Sequence, residues 1–391
     1  MHTLQNHPQT PHLLRLLGAT VFLSLADLLY SDLTFTELMF RDAGAYGDTL
    51  GYFNRQSLWE VAGFLLGGWL YQRLGFRRAV RVGGFLMLVG AWTVLRPSTS
   101  FLAVASLVFN FGYAMLSVQL LIAFAHKVAL LWAQRPVWWL AYFLAATVAY
   151  LPFLGLSWLG TLAGWIPGVM ALVLIVVALV GLIRLPALEA KTPASWEEPE
   201  SIGWPTLFGG LLLFFLLFYF ADAQRFSNFI VSEDNLTNPL FQTFEWLLTG
   251  GVAVALGFWW LRKPMPWLLG LSVASFLLSV VFLLSLAGQA NQGTLFPYVL
   301  AQLTVYGGYF TFLALLYSYF TTHAARAHFP LMIGGALAIE VIASLLLGQD
   351  FLVEWMIVGP DAVLFLLCFL GGVFLLFLFR RRESASGNTA R

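Results

Sequence analysis

Long apolar runs alternate with short polar breaks along nearly the whole chain. Roughly 20 apolar residues are needed to cross about 30 Å of hydrocarbon as a helix. On that measure the runs predict twelve membrane-spanning helices, near 13–36, 48–71, 79–95, 101–125, 137–156, 160–184, 204–226, 238–261, 265–287, 295–321, 329–349 and 353–379. The fifth and sixth are the least sharply divided, because Pro152, Gly155, Gly160 and Gly164 blur the break. The longest polar stretch between spans runs from Leu185 to Pro205 and holds four prolines and four glutamates. It reads as a linker between two halves. The expected organisation is an N-terminal six-helix bundle over 1–184, a cytoplasmic linker over 185–203, a C-terminal six-helix bundle over 204–382 and a disordered tail over 383–391.

Composition agrees with the pattern. Of the 391 residues, 60% are hydrophobic and 10% are charged, against about 25% charged in a soluble domain. The net charge of +1 gives no argument for a nucleic-acid partner. The single cysteine, Cys368, lies in an apolar run, which excludes a disulfide framework or a cysteine metal site. Positive charge then orients the spans. With the N-terminus inside, sixteen of the twenty Lys and Arg fall in inner segments, and only Arg41, Arg55, Arg96 and Arg225 fall elsewhere. An even number of spans with both termini cytoplasmic is the expectation.

The halves echo one another at a common offset. Ala26-Asp27 in the first span matches Ala221-Asp222 in the seventh, and the Phe111 to Met115 stretch of the fourth matches Gly307 to Thr311 of the tenth. The fourth span ends at His126 and the tenth at His323. Parallel six-helix repeats are a transporter architecture, with the substrate site at the repeat interface near mid-membrane. Polar residues follow the same rhythm. The first span carries Asp27, Tyr30, Ser31 and Thr34 on one face, and the fourth carries Asn110, Tyr113 and Ser117. The seventh carries Asp222 and Arg225, and the tenth Gln302, Tyr306 and Tyr309. In a bilayer such stripes must face protein or water.

The loop after the second span reads "GWLYQRLGFRR", Gly68 to Arg78. With these features the chain resembles the major facilitator superfamily. The loop is similar to that family's Gly-x-x-x-Asp-Arg-x-Gly-Arg-Arg motif through Gly68, Arg73, Gly75, Arg77 and Arg78, with Phe76 as one inserted residue. Gln72 stands where the family usually has Asp. The resemblance implies an all-α integral membrane protein of two pseudo-symmetric six-helix bundles. These rock around a central cavity lined by helices 1, 4, 7 and 10. It assigns Gly68 to Arg78 to an inner gate, in which Gln72 lacks the charge of the usual Asp. Independently of the name, Gly68 suits a close helix crossing and Gly75 a tight turn.

Candidate residues for substrate binding or proton coupling are Asp27, Glu60, Asp222, Arg225, Glu340, Arg55 and Glu245. A carboxylate inside hydrocarbon is expensive unless paired, hydrated or protonated, so each is either functional or a structural partner. Asp222 and Arg225, three apart, also fit a mutually neutralising pair, and Arg55 fits a partner for a nearby acid. Asp32 and Glu37 read as solvated residues at the outer mouth. Tyr30, Ser31, Thr34, Asn110, Tyr113, Ser117, Gln302, Tyr306 and Tyr309 are cavity-lining candidates.

The expected function is secondary active transport of a small solute across the cytoplasmic membrane by alternating access, coupled to protons. No Walker sequence is present, so ATP is not the direct energy source. A monomer embedded in lipid, with no enzyme activity, no cofactor and no metal, is expected. The alternatives are a lipid or amphiphile flippase on the same fold and a non-transporting membrane receptor or assembly factor.

Overall fold

The computed structural model describes residues 9–41, 46–92, 99–131, 135–158, 166–185, 204–229, 309–310, 312–314, 316–324 and 326–347. All regular structure among them is α-helical. In chain order the helices are α1 (Thr10–Arg41), α2 (Tyr46–Leu74), α3 (Phe76–Trp92), α4 (Thr99–Val128), α5 (Arg135–Val148), α6 (Tyr150–Trp158), α7 (Ile166–Ile183), α8 (Trp204–Phe229) and α9 (Phe329–Leu347). A shorter apolar helix, Phe312–Thr321, precedes α9. The expected spans from the first to the seventh, and the eleventh, coincide with these helices. The tenth is described only at its C-terminal end. The eighth, ninth and twelfth lie outside the described residues.

Proline sets where many of these helices begin. Pro11, Pro136, Pro167, Pro205 and Pro330 are each the second residue of their helix. There the missing N–H has no intrahelical role and the fixed φ suits the first turn. Pro152 does similar work for α6. The fifth expected span is thus two helices joined by a turn at Ala149, although Val137–Leu156 together are long and apolar enough to cross a membrane. Glycine marks the opposite boundary. Gly75, at φ +74°, ends α2, and its amide donates to the Tyr71 carbonyl at 2.9 Å. A residue in left-handed geometry is a common helix stop, and glycine takes it at no steric cost.

Among the described residues, five helical segments are long and apolar enough to span a bilayer: Thr10–Ser31, Val104–Val128, Val137–Leu156, Ile166–Ile183 and Phe329–Leu346. The chain is a multi-pass membrane protein. α7 shows how the apolar surface divides. Pro167, Gly168, Ala171, Ile175, Ala178, Leu179 and Leu182 are buried, while Val173, Val176, Val177 and Val180 are exposed. That exposed face suits lipid. Between helices, where lipid is as apolar as leucine, packing depends on small residues that let backbones approach. α3 and α4 meet this way: a Cβ on Gly112 would come 2.5 Å from the Met87 amide nitrogen.

By the density of its contacts the chain divides into two units. One comprises Met1–Lys191 with Tyr317–Ala338; the other comprises Thr192–Leu316 with Ile339–Arg391. The first unit is built around α4, whose residues from Gly112 to Val128 are nearly all buried, with α1, α2 and α3 packed on it. In the second unit Phe214 stacks on Phe312 (ring centroids 3.4 Å apart) and Phe218 on Tyr309 (4.0 Å).

Candidate functional site

Two carboxylates face each other in the first unit. Asp27 lies near the middle of the 32-residue α1, and Glu60 near the middle of the 29-residue α2. Each is within electrostatic reach of the other. Asp27 is hydrogen-bonded to Ser31, one turn on, and Glu60 accepts from Gln56 Nε2 at 3.4 Å. The Tyr113 hydroxyl, from α4, is hydrogen-bonded to Ser24 and lies within reach of both acids. Tyr142, from α5, faces Tyr113 and is hydrogen-bonded to Thr20. Ser24, Asp27 and Ser31 recur at helical spacing on α1, all half-buried, so one face of that helix presents the polar groups. Among the described residues no cation faces either carboxylate.

The other predicted residues distribute as follows. Tyr30 does not join the acids: it is fully buried, stacks on Phe109 at 3.9 Å and donates to the Gly90 carbonyl at 3.1 Å. Asn110 is 2% exposed, and its Oδ1 has no hydrogen-bond partner among the described residues. Ser117 donates back to the Tyr113 carbonyl at 3.0 Å. In the second unit Glu340 accepts from the Tyr309 hydroxyl at 2.7 Å. Arg55, Thr34, Asp222 and Arg225 lie in α2, α1 and α8, but their side chains are outside the description. Glu245, Gln302 and Tyr306 lie outside the described residues altogether. Among the described residues, no group of three or more His, Cys, Asp or Glu is arranged to hold a metal ion.

The Arg-rich end of the first unit, carrying Arg73, Arg77 and Arg78, is closed by close contacts. A Cβ on Gly68 would come 2.5 Å from the Pro330 carbonyl oxygen, and one on Gly334 would come 2.5 Å from the Phe64 oxygen. The four residues form an antiparallel crossing of α2 and α9 in which each glycine admits the other helix's backbone. Gln119 Nε2 donates to the Gly67 carbonyl at 2.7 Å. On another side Trp139 Nε1 donates to Thr321 Oγ1 at 2.9 Å, and Thr321 Oγ1 donates to the Tyr317 carbonyl at 2.6 Å. His126 lies between Tyr71 and Phe329, with centroids 6.2 and 5.7 Å away. In the loop itself, Gln72, Arg73 and Arg78 are exposed, and Arg73 lies 6.0 Å over the Trp69 ring. Arg77 does not simply face the membrane surface: its Nη2 donates to the Leu185 carbonyl at 3.1 Å, tying the loop to the end of α7.

Sequence reasoning missed Gly334, Trp139, Thr321 and Gln119. A signal for the first was available, because Gly63, Gly67 and Gly68 on α2 answer Gly334 and Gly335 on α9 as small-residue stripes. Trp139 and Thr321 carry no such signal, since one indole among fifteen tryptophans does not announce its partner.

His323 follows the Phe312–Thr321 helix and is 4% exposed. Burial, with Arg326 and His328 beside it, pushes its imidazole down to about 4.

The sequence matches no family profile and no curated protein. Solved structures do match. A bacterial homologue of the iron transporter ferroportin, in an outward-facing state, superposes over 93% of this chain and 98% of its own, with a TM-score of 0.64 at 14% identity. The human organic anion transporter MFSD10 covers 95% of this chain and 100% of its own, with a TM-score of 0.65 at 15% identity. The proton:xylose symporter XylE, of the major facilitator superfamily, covers 93% and 95%, with a TM-score of 0.61 at 13% identity. Identities this low carry the architecture rather than the solute, and on that architecture the chain has the major facilitator superfamily fold.

Proposed function

We propose that this protein is a secondary transporter that moves a small solute across the cytoplasmic membrane by alternating access, with protons exchanged at Asp27 and Glu60. The observation that carries the reading is the carboxylate pair at mid-helix, with Tyr113 in reach of both acids and without a facing cation among the described residues. Two negative charges in reach of each other inside a membrane protein repel strongly, so protonation and conformation are linked wherever the two forms hydrate the pair differently. The sealed Arg-rich end supplies the second requirement, a closed side for the cycle. In this reading that end and both termini are cytoplasmic, in keeping with the arginine bias. The protein works as a monomer and catalyses no covalent step.

The solute does not follow from the fold. The three similar structures are an iron transporter's homologue, an organic anion transporter and a proton:xylose symporter. The last of these joins the fold to proton coupling and supports the coupling half of the proposal.

Labels on the two sides of the Arg-rich end, at Gln72 and Ala327, report whether it is open. The wild-type distance distribution is expected to shift when the pH is varied between roughly 5.5 and 8. Asp27→Asn is expected to be indifferent to pH over that range. An undiminished pH response in Asp27→Asn removes the assignment of the proton to this pair.

A further inference from the structure

Tyr142 carries a hydroxyl where packing alone needs none. Its ring belongs to the buried aromatic cluster behind the Trp139–Thr321 contact, with Phe124 at 4.9 Å, Phe143 at 5.7 Å and Trp139 at 5.8 Å. Phe124 and Phe143 fill the same cluster without a hydroxyl, their centroids 5.0 and 6.2 Å from that of Trp139. A tyrosine hydroxyl taken out of water needs a hydrogen bond to offset its desolvation. Tyr142 is buried, and its hydroxyl is hydrogen-bonded to Thr20 of α1, which is buried as well. On α1, Thr20 begins the stripe that Ser24, Asp27 and Ser31 continue at helical spacing. The tip of Tyr142 is therefore fastened to the helix face that bears Asp27. Its ring is packed into the wall that receives Tyr317, which lies 5.0 Å from Trp139 and 5.3 Å from Phe143.

We infer that Tyr142 is a positioning residue: through its bond to Thr20 it transmits movement of the acid-bearing face of α1 to the Trp139–Thr321 contact. The inference rests on the reading that Asp27 and Glu60 exchange the coupling proton. When both are ionised they repel. Tyr113 of α4 is the titratable group that faces them from a third helix, and Tyr142 of α5 lies within reach of Tyr113. Relief of the repulsion displaces α1, and Thr20 with it, against α5, which packs on α1. Tyr142 follows Thr20, and Trp139 lies one turn from Tyr142 on the same helix. The indole bond to Thr321 is 2.9 Å long, so a displacement of roughly 0.6 Å carries it past the ~3.5 Å at which a hydrogen bond is lost. Coupling between two sites is carried by side chains in contact that have two discrete arrangements, and a bond made or broken at Thr321 supplies them.

The test is the pH response of the Gln72–Ala327 label distance, measured on the full chain in nanodiscs with Cys368 replaced by Ser. Tyr142→Phe keeps the ring and removes only the hydroxyl, and Thr20→Val removes its partner at equal size. In each, the pH-driven change in the ratio of sealed to open molecules is expected to shrink by about 2- to 10-fold, the worth of one hydrogen bond. The double variant is expected to lose no more than either single one, because both act through the same bond. Thr20→Ser, which restores a hydroxyl, is expected to keep the wild-type response, and it serves as the comparison if Tyr142→Phe is poorly produced. A merely structural hydroxyl gives a different result: Tyr142→Phe changes the ratio equally at pH 5.5 and pH 8, and the pH response survives. That outcome overturns the inference, as do losses that multiply in the double variant. If Asp27→Asn abolishes the pH response while Tyr142→Phe leaves it whole, this inference fails and the acid-pair reading stands. A wild type without any pH response overturns both.

Discussion

Gly68→Val tests the α2–α9 seal most sharply. A Cβ at position 68 would lie 2.5 Å from the Pro330 oxygen and 3.3 Å from the Leu331 Cα, all backbone atoms that no rotamer change can move. Ordinary contact begins near 3.4 Å, so α9 must retreat by about 0.9 Å at this point. That movement also loosens the reciprocal contact of Gly334 with Phe64, one turn away. Overpacking of this kind costs about 1–3 kcal/mol. The cost falls on the sealed form and not on any form in which α2 and α9 have separated. The ratio of sealed to open molecules should therefore drop by roughly 5- to 150-fold. Labels at Gln72 and Ala327, both exposed, report that ratio by pulsed distance measurement in a background with Cys368 replaced by Ser. Gly181→Ala is the control, because a Cβ there meets nothing within 4 Å. A Gly68→Val distribution identical to wild type would refute the argument that backbone contact at this glycine holds the end closed.

Two further outcomes follow from the same end of the molecule. In a double-mutant cycle, Trp139→Phe and Thr321→Val should show a coupling of about 0.5–1.5 kcal/mol, the net worth of one hydrogen bond; simple additivity would deny that the indole bond contributes. His323 should make stability pH-dependent: the unfolded imidazole takes its proton near 6.5, whereas the buried one resists until about 4. The contribution is nil above 6.5, stability then falls as the pH drops from 6.5 towards 4, and the loss is on the order of 2–3 kcal/mol after screening. His323→Gln should flatten the difference in melting curves over that window, and an unchanged slope would contradict the assignment.

Much of this fold is legible in the sequence because lipid leaves a chain few choices. Every backbone polar group must be bonded internally, so an apolar run of the right length becomes a helix. The prolines at 11, 136, 167, 205 and 330 fix five helix starts. The turn at Ala149 is less legible, since it lies within an apolar stretch and only Pro152 hints at it. At the site, Asp27 and Glu60 each stand out as intramembrane acids. Their meeting does not, because it depends on how α1 and α2 are placed against α4. Glycines 63 and 67, each held against the α4 backbone, set that placement for α2. Tyr30 shows the limit of a polar stripe as a guide. It lies three residues from Asp27, yet its ring is mostly apolar and its hydroxyl needs only one acceptor. It packs on Phe109 and bonds Gly90 instead. The loop motif is readable at Gly68 and Gly75, but the partner of Gly68 is at Pro330, far along the chain, and nothing local points there.

The central claim is that Asp27 carries a coupling proton, and transport in liposomes measures it most directly. A screen of solute classes by thermal shift, in which a ligand of the native state raises apparent stability, identifies the solute to use. Wild-type protein should then accumulate that solute against its gradient when a pH gradient is imposed. Asp27→Asn, fixed in the charge state of the protonated acid, should still exchange solute across the membrane and should lose the uphill accumulation. Full gradient-driven accumulation by Asp27→Asn, or a wild type indifferent to the pH gradient, would contradict the account.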